Sequence, residues 1–198
     1  MKNAKIITDA TIPDEIKRYV TKVDVPDSVK SIGDAAFRWC KNLTSINIPD
    51  SVKSIGNNAF ARCENLTSIV IPDSVKVIKP YIFAYCTNLI SINIPNSVKS
   101  IGDRAFYLCK NLKSITIPDS VEYIGNETFA FCENLTSITI PDSIKHIKDY
   151  IFYSCKSLAS INIPDSVKSI EDAAFARCES LTSIIIPDSV EYIGNRIF

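Results

Sequence analysis

One interval governs this sequence. Cysteine recurs at Cys40, Cys63, Cys86, Cys109, Cys132, Cys155 and Cys178, always 23 residues apart. Phenylalanine keeps the same step from Phe37 to Phe198, leucine from Leu43 to Leu181, and proline from Pro26 to Pro187. Seven full units run from Pro26 to Ile186, each close to PDSVKSIGDAAFRWCKNLTSINI, and a half unit follows to Phe198. Self-similarity at a fixed period of this length marks a stacked-repeat architecture. A longer period is superimposed, because PDSVEYIGN stands at both 118–126 and 187–195. Blocks of three units were therefore duplicated together.

Each unit has a physical reading. Leu43, Ile46 and Ile48 alternate with polar residues, the period of a half-buried strand. Pro49 ends the strand, since it has no N–H to give a neighbour. Asp50 and Ser51 then supply turn chemistry through side-chain bonds to nearby backbone N–H groups. Val52 and Ile55 return to the core. Gly56 and Asn57 follow, and Asn or Asp fills this second place in every unit except Pro80, a pattern that predicts a helix N-cap. Ala59, Phe60 and Cys63 at 3–4 spacing predict a helical turn or two with one face inward.

No such unit buries its apolar side alone. Stacked units bury Val, Ile, Phe, Cys and Leu as continuous ladders, so the expected fold is a solenoid. With strands about 4.8 Å apart, eight layers make a body about 35–40 Å long. Apolar residues at 46% and charged residues at 22% match an ordinary globular chain and exclude a disordered one.

The pattern Leu43-x-x-Ile46-x-Ile48 opens like a leucine-rich repeat. Over about 170 residues the unit resembles the 23-residue BspA-like, or Treponema-type, subclass, whose motif is IPxSVxxIGxxAFxxCxxLxxI. The resemblance implies an α/β repeat solenoid, a right-handed leucine-rich repeat superhelix. Its parallel β-sheet would lie on the concave face, with short helical or 3-10 turns on the convex face. The motif's glycine is missing at Lys79, Lys148 and Glu171, so a left-handed backbone is not expected to be obligatory there.

The ends depart from the repeat. Residues 1–25 read as a degenerate capping segment, with a short helix over Asp14–Val20, and residues 26–198 as the repeat domain. The N-terminus holds no apolar h-region of a signal peptide, and no apolar run reaches the length of a membrane span. Phe198 stops before the cysteine and strand that would complete its layer, so either a fragment of a longer chain or an end-to-end association surface is expected there.

Chemistry finds little foothold. Lys plus Arg and Asp plus Glu each total 22, a balance that argues against a nucleic-acid partner. The one histidine, His146, stands among ordinary repeat residues and reads as solvated or packed. No nucleophile elbow, P-loop or zinc motif occurs, so neither a catalytic residue nor a cofactor or metal is expected. The cysteines lie too far apart in sequence for a zinc cluster and project in parallel, so seven buried thiols without disulfides are expected. A stacked aspartate row, Asp27 to Asp188, is expected to be offset by turn amides, and Lys110–Glu133 and Lys156–Glu179 are expected to pair between layers.

Binding surfaces remain. On the concave face the candidates are Thr44, Asn47, Thr67, Val70, Ile90, Asn93, Lys113, Thr116, Thr136, Thr139, Asn162, Thr182 and Ile185. The invariant serine row from Ser45 to Ser183 reads as structural. These rows hold no aromatic residue, whereas Arg62, Tyr107, Tyr153 and Arg177 make a second candidate surface on the convex side. The expected function is a non-enzymatic protein-binding or adhesion module, with a spacer that stacks through its C-terminal layer as the alternative. The family resemblance further implies a cell-surface or secreted parent that binds host or matrix proteins.

Overall fold

The computed structural model describes residues 5–7 and 12–198. Two rows of short parallel strands run along it. The first row comprises Lys22–Asp24, Ser45–Asn47, Ser68–Val70, Ser91–Asn93, Ser114–Thr116, Ser137–Thr139 and Ser160–Asn162. Ser137 stands opposite Ser114 on one side and Ser160 on the other, so the register shift is one unit. Its hydrogen-bonded ladder comes in two pieces, Lys22–Asp24 with Ser45–Asn47, and the five strands from Ser68 to Asn162. The second row is shorter, built from pairs such as Ser54–Ile55, Val77–Ile78 and Ser100–Ile101. Residues 5–7 join it as a parallel neighbour of Val29–Ile32.

The proline–aspartate–serine corner closes as the sequence requires, Val52 N–H donating to the Pro49 carbonyl at 3.0 Å. The serine acts differently from expectation. Ser97 and Ser120 donate their hydroxyls to the Val75 and Val98 carbonyls of the preceding layer, at 2.7 and 2.8 Å. Nor do turn amides meet the aspartates of this row. Asp27, Asp50, Asp73, Asp119, Asp142, Asp165 and Asp188 all stay in solvent, where water screens their mutual repulsion.

On the third side the expected helical turns are replaced by a run of turns. Among the described residues the one α-helix is Asp14–Lys17, inside the span where a short helix was expected. In the repeats, Ala35, Phe37 and Trp39 donate to the carbonyls of Asn57, Ala59 and Ala61 in the next layer, at 2.8–3.0 Å. Arg38 and Cys40 donate within their own layer. A helix sends every interior N–H to its own chain four residues back, so donors shared with the next layer exclude one. The alternation needs two left-handed residues per unit, as at Ala35 and Trp39 with φ of 52° and 70°.

No described glycine has positive φ, in keeping with its replacement at Lys79, Lys148 and Glu171. Glycine serves close approach instead. A Cβ on Gly102 would lie 2.6 Å from the Pro80 nitrogen and 2.7 Å from its Cδ. The Asn/Asp position beside it does not cap its own turn. Asp34 and Asp103 accept the backbone N–H of Asn57 and Asn126 in the following layer, at 2.7 and 2.9 Å.

The core lies between these three sides. Phe37 to Phe175 stack as one column, with ring centroids 5.4–5.7 Å apart. Beside it runs the cysteine column. Each thiol from Cys63 to Cys178 lies 3.1–3.3 Å from a phenylalanine carbonyl of the preceding layer, and so donates a weak hydrogen bond between layers.

Candidate functional surfaces

Parallel stacking makes each repeat position a row on the surface. On the strand face, period-two alternation turns Ile46, Ile69 and Ile92 inward and their neighbours outward. All thirteen concave-face candidates are exposed, with Val70 at 68% and Ile90 at 45%. Thr44 and Thr136 also bond the preceding layer, their hydroxyls donating to the Thr21 and Lys113 carbonyls at 2.9 and 3.3 Å. The serine row faces solvent too. Lys113 is the one charge among the thirteen, with Lys22 and Asp24 at the edge of the face. A shallow concavity of about 340 Å³ lies where the strand ladder is interrupted, with Asn47 and Val70 in its wall.

The turn side carries the aromatic residues, and the structure joins what the sequence left scattered. The Arg62 guanidinium sits between two rings, 4.3 Å from the Trp39 centroid and 4.0 Å from that of Tyr85. Tyr85 meets Tyr107 edge-on at 5.5 Å, Tyr107 meets Phe131 at 5.5 Å, and Phe131 meets Tyr153 at 5.3 Å. Arg177 lies over Tyr153 at 5.5 Å. Arg62, Tyr107, Tyr153 and Arg177 therefore belong to one ridge with Trp39, Tyr85 and Phe131. Sequence reasoning placed these residues in the same outer segments but not in mutual contact. The contacts arise because successive layers alternate the ring-bearing position between the residue one before the cysteine and the residue two before it.

Ion pairs also run between layers. Lys110 pairs with Glu133 at 3.1 Å and Lys41 with Glu64 at 2.9 Å. Lys156 and Glu179, expected to pair, do not; both side chains are solvated. Arg104 is held by Glu127 and by the Tyr81 hydroxyl, which keeps it fully cationic. An amide ladder that sequence reasoning missed links Asn42, Asn65, Asn88, Asn111 and Asn134, at 3.0–3.4 Å. Its signal was an asparagine two residues after the cysteine in five consecutive units.

Catalytic geometry is not assembled among the described residues. No group of three or more His, Cys, Asp or Glu side chains converges on a possible metal position. His146 is exposed, with Nδ1 2.8 Å from the Ser169 hydroxyl. That hydroxyl reaches Glu171 at 3.4 Å, and Glu171 pairs with Lys148 at 2.9 Å. Ser169 is buried, so this cluster ties layers together and presents no nucleophile to a substrate. None of the seven cysteines forms a disulfide, and all are buried. Burial pushes the Cys86 thiol up to about 12 and Cys178 to about 11, while Cys63, Cys109, Cys132 and Cys155 are also raised well above the ordinary value. Such thiols are protonated and inert at neutral pH.

Comparison with known proteins follows this geometry. A family model described as a BspA type leucine rich repeat region, in six copies, matches residues 14–129 and 99–198. Among solved structures, a leucine-rich repeat protein from Bacteroides ovatus is 42% identical with a TM-score of 0.85. The match covers 88% of this chain and 48% of that one, so this chain spans about half the length of the Bacteroides protein. The Treponema pallidum leucine rich repeat protein is 30% identical with a TM-score of 0.82, covering 90% of this chain and 83% of that one. The pneumococcal vaccine antigen PcpA, 20% identical with a TM-score of 0.52 over 88% of this chain and 51% of its own, shares the fold. No curated protein matches the sequence. No helix among the described residues is long and apolar enough to cross a membrane.

Proposed function

The chain belongs to the BspA-type leucine-rich repeat family, and from that premise we propose that it is a non-enzymatic module that binds a protein ligand. Its fold is that of a protein-interaction solenoid. The observation that carries the reading is the conversion of each outward-facing repeat position into a row of exposed side chains, without a converged catalytic group among the described residues. Affinity would be spread over several layers of a broad surface, and not gathered in a deep pocket. An adhesive role at a cell surface, toward host or matrix proteins, is the finer form of this proposal and rests on the family alone.

The test is a binding array of purified extracellular-matrix and host-surface proteins, read by biolayer interferometry. Saturable binding of at least one of them is expected. Uniformly unsaturable responses would sink the adhesive form. A second reading is stacking of copies end to end through the layer that carries Ile193 and Phe198, which are 49% and 62% exposed. Light scattering over a concentration range decides it, because a strict monomer excludes stacking.

A further inference from the structure

We propose that the turn-side ridge is the docking surface, and that its partner is an extended acidic peptide segment of the protein ligand. This inference rests on the protein-binding reading and adds a face and a chemistry to it. Three observations carry it.

The first is the choice of side chain at a left-handed position. Trp39, Arg62, Tyr85, Phe131 and Arg177 occupy one repeat position, immediately before the cysteine, and all have φ between 60° and 70°. Glycine adopts such a backbone readily, whereas a residue with a side chain adopts it against steric resistance. Leu108 and Ser154 fill the same position with the same backbone, so layer packing demands neither a ring nor a guanidinium. The left-handed turn itself is required in every layer, so what needs a reason is the side chain placed on it: rings and guanidinia recur here although leucine and serine also satisfy the fold.

The second is charge. Arg104 is neutralised by Glu127, but neither Arg62 nor Arg177 has a carboxylate partner among the described residues. Arg62 lies between two rings, and a guanidinium fixed in this way keeps its N–H edge for a carboxylate. The strand face offers no comparable anchor.

The third is spacing. Arg62 and Arg177 stand five layers apart, about 24 Å at about 4.8 Å per layer. An extended peptide of about seven residues spans that distance. Between the two cations Tyr107 and Phe131 are partly exposed, which suits aliphatic or proline side chains. Trp39, 41% exposed, lies beside the first cation.

Trp39 is the only tryptophan of the chain, so its emission reports on the ridge directly. The probe is the peptide EEVPLPVEE, with QQVPLPVQQ as its uncharged control. Saturable quenching by the acidic peptide is expected, with at least about tenfold weaker binding of the control. Arg62→Gln and Arg177→Gln should each weaken binding about fivefold or more, and Arg62→Lys less. Asn93→Ala and Thr139→Ala on the strand face should leave it unchanged. Circular dichroism confirms that each variant is folded. Equal binding of the two peptides, no saturation up to about 1 mM, or loss confined to the strand-face variants overturns the proposal. The array of matrix and host proteins is repeated with the Arg62→Gln/Arg177→Gln double variant. A ligand still held at full affinity removes the ridge but leaves the protein-binding reading standing. A wild-type array without any binder sinks the adhesive form alone and leaves the peptide titration to decide the ridge.

Discussion

Two layers of this solenoid carry nearly the same letters and meet opposite fates. Phe106 and Ile101 are fully buried in a middle layer, whereas Phe198 and Ile193, at the same repeat positions, are 62% and 49% exposed. Phe175 and Phe198 are 6.3 Å apart, a looser stack than any inner pair. Only the neighbours differ: the middle layer is covered on both sides, the last on one. Burial in such a stack is a property of the interface between layers, and stability is close to a sum over those interfaces.

The largest expected break with neutral conditions is alkaline. Unfolded thiols titrate near 9, while the folded chain holds Cys86 to about 12 and Cys178 to about 11, and raises Cys63, Cys109, Cys132 and Cys155 as well. The unfolded chain therefore releases these protons first. Their contribution to stability is fully present below pH 9 and falls as pH rises toward the folded values, by about 1.4 kcal/mol per pH unit for each thiol. Because the six act in the same direction, their loss is expected to be large against a typical stability of about 5–15 kcal/mol. Circular dichroism against pH should show cooperative unfolding between about 10 and 11. Flat stability to pH 11 would contradict it. The two regions separate in the same titration, because native-state alkylation should label Cys178 before Cys86 or Cys109.

The core ladder comes next. Phe106→Ala leaves a cavity between covered layers and should cost about 3–5 kcal/mol in urea denaturation. Phe198→Ala, at a half-open position, should cost under about 1.5 kcal/mol. Equal costs would show that the last layer is covered in solution, by a second copy or otherwise.

What the sequence revealed follows the same division. The period, the inward residues, the strands of the first six units and the disulfide-free cysteines were legible because a single 23-residue interval fixes them all at once, whereas the seventh unit forms no strand after Leu181 and Lys22–Asp24 pairs as a strand ahead of the repeats. The helical turns were not legible, because the 3–4 spacing of Ala59, Phe60 and Cys63 is equally met by turns whose N–H groups reach the next layer. Ser97 and Asp34 were assigned to their own turns for the same reason, since a single unit read alone hides its partner 22 or 23 residues away. Both candidate faces were named from the sequence. The contacts within the turn-side one were not, because nothing in the letters shows that Trp39, Arg62 and Tyr85 stand at left-handed positions or that Arg62 is clasped between the two rings.

Glycine gives a smaller test of layer spacing. In Gly102→Ala the new methyl meets the Pro80 nitrogen and ring, which are rigid, so neighbouring layers on both sides must shift. A cost of about 1–3 kcal/mol is expected. Gly194→Ala would place its Cβ 2.5 Å from Asp172 Oδ1 and 2.7 Å from its nitrogen, an equally tight approach. Among the described residues no further layer covers the one that carries Gly194, so in this chain it can move outward and the cost should be clearly lower. Thermal denaturation of the two variants reads the difference.

The smallest effect concerns charge. Lys110 and Glu133 pair across inner layers at 3.1 Å, both partly solvated. A double-mutant cycle with alanine should give a coupling of about 0.2–1 kcal/mol, shrinking as salt is added. Lys156 and Glu179 have the same residue types and the same repeat spacing but no ion pair, and their cycle should give zero within error. The contrast is not one of charge type or spacing, which are equal in the two pairs, although Asn111 and Asn134 stand beside the first and Ser157 and Ser180 beside the second. A coupling at Lys156–Glu179 as large as that at Lys110–Glu133 would mean that the layers near the C-terminal end are held as firmly as the middle ones. It would then weaken the view that a missing neighbour, and not the local sequence, sets the character of the final layer.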